Sequence, residues 1–296
     1  MRVDAHQHYW RYDAVRDGWI TPAMGALRRD FLPTDAVPLL ADARIDAVVA
    51  VQAAQSDAET EFLLTLAERH DIIRGVVGWV DLQAPDLAEQ LDRYRSAPML
   101  KGFRHIAQGE PDDFLARSQV ITGVTVMGAL GYSYDILIYP RQLAAAEQLV
   151  SSCPDVRFVL DHCAKPDIAG GRLEEWRSGL PRLARYNHVT CKLSGLVTEA
   201  SWHTWTDADL LPVLDAAAEA FGPERLMFGS DWPVCLVAAG YARVVDVIER
   251  WAERLTTAER ARVFGETARE VYRLTAVPCE RACVSSADAA NLTDRQ

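Results

Sequence analysis

The chain has 296 residues, of which 49% are hydrophobic and 25% are charged, as in an ordinary globular protein. That composition excludes a largely disordered chain, a collagen-like fibre and a small protein held together by disulfides. The 42 acidic residues outnumber the 31 basic ones, and the net charge of −11 argues against a binding surface for nucleic acid or anionic lipid.

Short apolar segments alternate with longer amphipathic segments along the chain. The apolar segments are rich in Val, Ile, Leu and Phe and lack polar–apolar alternation, which is typical of parallel strands buried on both faces. They predict strands over residues 3–8, 47–53, 74–81, 101–104, 135–138, 157–162, 189–194 and 227–231.

The segments between these strands have the spacing of helices. A capping box, Ser56 to Glu59, opens one of them, and Thr256 to Glu259 opens the last. Others are predicted over residues 86–94, 141–150 and 208–221. This alternation predicts an α/β fold, a single (β/α)8 TIM barrel over residues 1–276. An open doubly wound sheet is the alternative, although it usually has a Gly-rich turn after its first strand.

The remaining segments carry fewer signals. Residues 10–33 have little periodicity and are predicted to form a long loop over one barrel mouth. Residues 277–296 are polar and rich in small residues, so we expect a poorly ordered tail. The chain opens without the features of a signal peptide and has no apolar run of about 18 residues, which favours a cytoplasmic protein that does not cross a membrane.

Two histidines at the end of the first predicted strand give the strongest chemical signal. His6 and His8 point the same way, because residues two apart in a strand share a face. They lie at the C-terminal mouth, where barrel enzymes carry their active sites, and together provide half of a metal site. His162 and Asp231 end two other predicted strands and can supply further ligands.

Five segments together resemble the amidohydrolase superfamily, and within it the branch of sugar lactonases and pyrone-dicarboxylate lactonases. They read DAHQHYW from residue 4, LKGFRH from 100, VLDHCAKP from 159, CKLSG from 191 and FGSDWP from 228. The resemblance covers residues 1–276 and implies a (β/α)8 barrel that hydrolyses lactones. It also implies that His6, His8, His162 and Asp231 correspond to the members' site residues, with Asp231 as the base that activates water.

These four residues are expected to bind a single divalent ion. Binuclear members bridge two metals with a lysine or glutamate at the end of strand four, whereas Lys101 starts that predicted strand. Nitrogen and oxygen ligands favour Zn²⁺. Some lactonases of this branch work without metal, so a metal-free reaction, in which His162 and Arg104 polarise the carbonyl, is retained as an alternative.

Other polar and aromatic residues near the predicted mouth are candidates for binding substrate. Arg104 can hold a carbonyl or a carboxylate through two hydrogen bonds. Lysine, serine and glutamine side chains can bond sugar hydroxyls, and indole rings pack well against sugar rings. The predicted substrate-binding residues are Gln52, Lys165, Lys192, Ser194, Trp10 and Trp232.

The predicted reaction is the opening of a neutral sugar lactone to its aldonic acid. Asp231 takes a proton from the attacking water and returns it to the ring oxygen that leaves. Few cations are placed at the mouth, which argues against a dicarboxylate, and the resemblance puts L-fucono-1,5-lactone or its 1,4-isomer first. Two alternatives remain, a metal-dependent decarboxylase of the same superfamily and a non-catalytic sugar-binding barrel. The expected partner is therefore a small molecule, with no nucleic acid and no membrane.

Overall fold

Eight parallel strands form one sheet in the computed structural model, which describes residues 1–275. The strands follow one another in chain order around the sheet. They are β1 Val3–Gln7, β2 Ala47–Val51, β3 Ile73–Gly78, β4 Leu100–His105, β5 Ser133–Ile136, β6 Phe158–Leu160, β7 Val189–Leu193 and β8 Leu226–Phe228. All the predicted strands are present, and the (β/α)8 barrel is confirmed.

The sheet closes between its first and last strands just beyond the end of β8. The amide of Asp231 donates to the His6 carbonyl at 2.9 Å, and the amide of His8 donates to the Trp232 carbonyl at 2.7 Å. These bonds place the chain that follows β8 directly beside β1. The two strongest sequence motifs are therefore neighbours at the mouth of the barrel.

Helices surround the sheet and follow most of the strands. In the described residues they are α1 Pro33–Asp42, α2 Asp57–Arg69, α3 Leu87–Asp92, α4 Ser118–Ala129, α5 Leu143–Ser152, α6 Glu174–Ala184, α7 Leu196–Glu199, α8 Asp207–Phe221, α9 Tyr241–Trp251, α10 Thr257–Ala261 and α11 Thr267–Val271. Ser56 caps α2 as predicted, since its hydroxyl accepts from the Glu59 amide at 3.2 Å. The Glu59 carboxylate, however, bonds the Ala53 amide at 2.9 Å and does not complete the capping box.

The end of the barrel where the strands begin is closed by residues that follow α11. Tyr272 and Leu274 follow α11 and pack against Val3, Val49 and Val77 in a buried apolar cluster. Access to the interior is therefore left at the C-terminal ends of the strands. Lys101 lines a groove at this lower end together with Arg273, so it does not reach the mouth.

The segment between β1 and α1 covers part of the mouth. Trp10 and Phe31 exchange two backbone hydrogen bonds of 2.9 Å, which tie the base of this loop together. The loop contains one short 3₁₀ turn, Pro22–Leu27. Within the described residues no helix is both long and apolar enough to span a bilayer. The predicted tail, residues 277–296, lies outside the described residues.

Candidate active site

Three imidazoles converge on one carboxylate oxygen at the mouth of the barrel. The Nε2 atoms of His6, His8 and His162 lie 3.8, 3.3 and 3.9 Å from Oδ1 of Asp231. The Nε2 atoms of His6 and His8 are 3.2 Å apart. All four side chains are buried. The residues that the sequence predicted as a ligand set are therefore brought together.

Hydrogen bonds on the far side of each ring fix how two of these imidazoles face the site. Nδ1 of His8 donates to the Val51 carbonyl at 2.8 Å, which leaves its Nε2 facing Asp231. Nδ1 of His162 lies 2.8 Å from the Ser194 hydroxyl, which can donate or accept. His162 can therefore present either a lone pair or an N–H at Nε2, depending on its tautomer.

The chain adopts a left-handed conformation where it leaves two of the strands. His162 has φ of 53° and Asp231 has φ of 58°, a conformation that costs non-glycine residues about 1 kcal/mol or more. Neighbouring glycines make room for the imidazoles. A Cβ on Gly195 would lie 2.5 Å from Nδ1 of His162, and one on Gly229 would lie 2.7 Å from Cβ of His6. Such local strain is typical of functional sites.

A buried carboxylate beneath the imidazoles links them to two cations. Oδ1 of Asp161 lies 3.3 Å from Nδ1 of His6 and 2.9 Å from Nζ of Lys192. Its Oδ2 accepts from Nη1 of Arg104 at 3.0 Å. Asp161 is not among the site residues that the sequence predicted. A carboxylate at the end of an otherwise apolar strand, directly before a predicted ligand, was the available signal.

Lys192 belongs to this buried network and not to the cavity. Its Nζ donates to Oδ2 of Asp135 at 2.6 Å, and Tyr272 donates to the same oxygen at 2.6 Å. The Lys192 side chain is completely buried. This position corrects the expectation that Lys192 binds a sugar hydroxyl, because its ammonium is already engaged by two carboxylates below the site.

Burial sets the protonation of the site at neutral pH. Burial lowers the pKa of His162 to about 4 and holds the pKa of His6 well below its usual value, so both rings are neutral. Burial alone would raise the pKa of Asp231, but the adjoining His162 and His8 rings lower it by more. The site therefore combines the ionised carboxylate of Asp231 with the neutral imidazoles of His6 and His162.

The donor atoms of this set fit a divalent metal ion. Tetrahedral zinc with bonds of about 2.0–2.1 Å holds its ligand atoms about 3.3–3.4 Å apart, and the separations reported above for Asp231 and the three imidazoles are 3.2 to 3.9 Å. His6, His8 and Asp231 form one compact group, and His6, Asp161 and His162 form another. Nη1 of Arg104 also approaches Nε2 of His6 at 3.2 Å, so an ion on that nitrogen would displace the guanidinium.

A cavity of about 210 Å³ opens directly above these groups. It is smaller than the roughly 300–1,000 Å³ typical of sites for drug-sized ligands, which favours a small substrate. Polar groups at its floor are His8, Arg104, His162 and Asp231, and Gln108 and Lys165 also line it. The remaining lining residues are Trp19, Ala53, Ile106, Leu137 and Val234.

Two of the predicted substrate-binding residues lie behind the cavity wall as supports for other site residues. Nε2 of Gln52 donates to the Arg104 carbonyl at 3.0 Å, and Arg104 donates back to the Gln52 carbonyl. Ser194 is buried against His162, as described above. These positions correct the expectation that Gln52 and Ser194 contact substrate directly.

The two predicted tryptophans are also packing residues. Trp10 packs edge-on against Phe31 with ring centroids 5.5 Å apart, and Trp232 packs against the same ring at 5.3 Å. Both indoles are almost fully buried. The indole that lines the cavity is that of Trp19, which is 41% exposed. Trp19 was not predicted, because no sequence pattern indicates the path of its loop.

The amidohydrolase family model matches residues 3–274 of the chain. The chain belongs to the amidohydrolase family. Within the family, it is 46% identical over 286 residues to the L-fucono-1,5-lactonase of Burkholderia multivorans, covering 93% of this chain and 96% of the relative. It is 38% identical over 283 residues to the L-fucono-1,5-lactonase of Burkholderia ambifaria, with the same coverage of 93% and 96%.

A solved structure extends this similarity to the fold of the whole barrel. The crystal structure of a Burkholderia multivorans amidohydrolase with bound zinc superposes with a TM-score of 0.90 at 45% sequence identity. The superposition covers 93% of this chain and 100% of that chain. The family resemblance inferred from the five sequence segments is confirmed.

Proposed function

We propose that this protein hydrolyses a neutral sugar lactone, L-fucono-1,5-lactone, to the aldonic acid. The similarity to two L-fucono-1,5-lactonases over most of the chain supports this reaction. The site supports it with a buried, ionised Asp231 beside three imidazoles at the floor of a small cavity. This cluster is the observation that carries the proposal.

The cations of the cavity favour a neutral substrate. The arginine and lysine residues that line the cavity are Arg104 and Lys165. Each already has an acidic partner, since Arg104 lies 3.0 Å from Asp161 and Lys165 lies 2.9 Å from Glu199. A substrate with two carboxylates would require cations that are free to pair with both. We therefore favour a polyhydroxy lactone over a dicarboxylate.

Asp231 is the proposed general base. Its carboxylate accepts a proton from water as the water oxygen bonds to the lactone carbonyl carbon. The bond from that carbon to the ring oxygen then breaks, and Asp231 returns the proton to the departing alkoxide. The open chain ends in a carboxylic acid, which ionises at neutral pH. Water supplies every atom added, so the step needs no other co-reactant.

Arg104 and His162 are proposed to polarise the carbonyl. The guanidinium of Arg104 lies at the cavity floor beside His6, where it can stabilise negative charge on the carbonyl oxygen. His162 can donate from Nε2 when its Nδ1 accepts the hydrogen of the Ser194 hydroxyl. These donors would serve a reaction without metal.

We propose that His6, His8, His162 and Asp231 also hold one divalent cation, zinc. The spacing of the donor atoms and the zinc bound in the Burkholderia multivorans structure support this assignment. When bound, such an ion supplies Lewis-acid polarisation and lowers the pKa of water. The tautomer of His162 that presents a lone pair at Nε2 suits this state, and Ser194 then accepts from Nδ1.

A pH-indicator assay tests the reaction. Freshly prepared L-fucono-1,5-lactone, its 1,4-isomer and 2-pyrone-4,6-dicarboxylate are offered to the enzyme as isolated and after chelation, with carbon dioxide release followed in parallel. We expect acid release from the sugar lactone. Asp231→Asn should lower kcat by roughly 10²- to 10⁴-fold, whereas the exposed Asp155→Asn should leave it unchanged. Activity of Asp231→Asn within a few-fold of wild type would overturn its role as base.

A further inference from the structure

The cavity is divided into a polar floor and an apolar rim, a name we use for Trp19, Ala53, Ile106, Leu137 and Val234. Ala53, Ile106 and Leu137 lie just beyond the ends of β2, β4 and β5, and Val234 follows β8 beyond Asp231. Because every strand runs toward the mouth, these side chains lie farther out than the reactive groups. The rim therefore surrounds the part of a substrate that is remote from the floor.

The rim offers few partners to a hydroxyl group. Among the polar residues that line the cavity above the floor, Lys165 is engaged by Glu199 at 2.9 Å. Gln108 is the other, and its Oε1 is buried with no hydrogen-bond partner among the described residues. A polar substituent held against the aliphatic side chains of the rim would lose its bound water without gaining a hydrogen bond.

We propose that the apolar rim is the specificity site for a methyl group at C5 of the lactone, so that the enzyme selects 6-deoxy sugar lactones. This inference rests on the proposed lactone hydrolysis. In a 1,5-lactone the carbonyl carbon and the leaving ring oxygen must lie at the polar floor, near Asp231. C2, C3 and C4 each carry a hydroxyl, so the methyl on C5 is the apolar substituent of this ring, and the aliphatic side chains of the rim are the part of the cavity wall that complements it.

Three lactones that share the configuration of the other ring carbons isolate this group. L-Fucono-1,5-lactone carries a methyl at C5, L-galactono-1,5-lactone carries a hydroxymethyl, and D-arabinono-1,5-lactone carries hydrogen. An added hydroxyl in an apolar pocket is rejected by up to about 100-fold, and a missing carbon lowers kcat/KM by roughly 10-fold or more. We expect the methyl compound to have the highest kcat/KM, by about 10- to 100-fold over the hydroxymethyl compound.

Two substitutions in the rim test whether the selectivity arises there. Val234→Thr adds a hydroxyl with almost no change of volume, and Leu137→Asn places a smaller, polar carboxamide at a second wall. Each substitution should lower the ratio of kcat/KM for the methyl lactone to kcat/KM for the hydroxymethyl lactone at least threefold. The new polar side chain can bond the hydroxyl of the hydroxymethyl group and is a poorer contact for the methyl group. Val37→Thr is the matched control, because Val37 lies on α1 and is 47% exposed.

The outcomes separate the rim from the reaction itself. A strong preference for methyl that falls in either rim variant, but not in Val37→Thr, supports the proposal. Equal kcat/KM values for the methyl and hydroxymethyl lactones overturn it while the lactonase activity stands. A strong preference unchanged in both folded rim variants overturns it too, since the selectivity then arises elsewhere. Hydrolysis of none of the lactones refutes the proposed function and this inference together.

Discussion

Removing the buried ammonium of Lys192 should lower the stability of the protein rather than weaken substrate binding. Lys192→Met keeps much of the side-chain volume but leaves Asp135 and Asp161 facing each other without the cation that lies 2.6 and 2.9 Å from them. Loss of one partner from a buried ion pair costs about 3–5 kcal/mol in the free energy of unfolding. At about 2–4 °C per kcal/mol for a domain of this size class, Tm should fall by roughly 6–20 °C.

The pH dependence of this loss has a predictable sign. Burial raises the pKa of Asp135 to about 6 even with Lys192 present. A carboxyl whose pKa is higher in the folded state contributes stability at low pH that is lost as pH rises through that value. Without Lys192 the pKa of Asp135 should rise further, so the variant can neutralise this carboxyl on acidification. The Tm difference from wild type should be smaller at pH 5.5 than at pH 8.

Thermal melts by circular dichroism and initial rates on the folded protein test this reasoning together. Lys101→Met is the matched control, because Lys101 lies at the opposite end of the barrel and has a pKa lowered by its partial burial. Its loss should change Tm by only a degree or two. A Lys192→Met variant that melts like wild type while its KM rises tenfold would contradict this prediction, since Lys192 would then contact substrate, as its sequence position predicts.

Three further predictions concern the cavity and the imidazoles. Gly195→Ala should lower kcat by at least tenfold, because the added methyl would clash with His162. Gly25→Ala is the control and should leave kcat unchanged, because there is open space around its Cα. Normal turnover by Gly195→Ala would contradict this geometry. Gln108→Met should raise KM by about five- to tenfold without lowering Tm, because it removes one hydrogen-bond acceptor that has no partner within residues 1–275. An unchanged KM would remove Gln108 from the binding site. Saturating Zn²⁺ should raise the Tm of wild-type protein stripped of metal by several degrees, and should raise the Tm of Asp231→Asn much less. Equal shifts in the two proteins would place the ion elsewhere.

Local patterns were enough to predict the barrel and the identity of the reactive cluster. Parallel strands buried on both faces require continuous apolar runs, and those runs are visible in a single sequence. His6 and His8 share a face because strand geometry repeats every two residues. Asp231 becomes their neighbour once the eighth strand is known to close against the first. Each step depends on short-range geometry or on a topology with few alternatives.

The depth of a side chain within the barrel was decided only by the tertiary structure. Lys192 and Ser194 both point inward, as the spacing predicts, but Lys192 ends in the layer below the imidazoles and Ser194 ends against His162. Alternation along a strand distinguishes inside from outside and carries no information about which layer a long side chain reaches. The loop that carries Trp19 to the cavity is fixed by contacts distant in sequence, such as Trp10 with Phe31. The sequence alone thus determined the chemistry of the site, and packing between distant segments decided which residues form its walls.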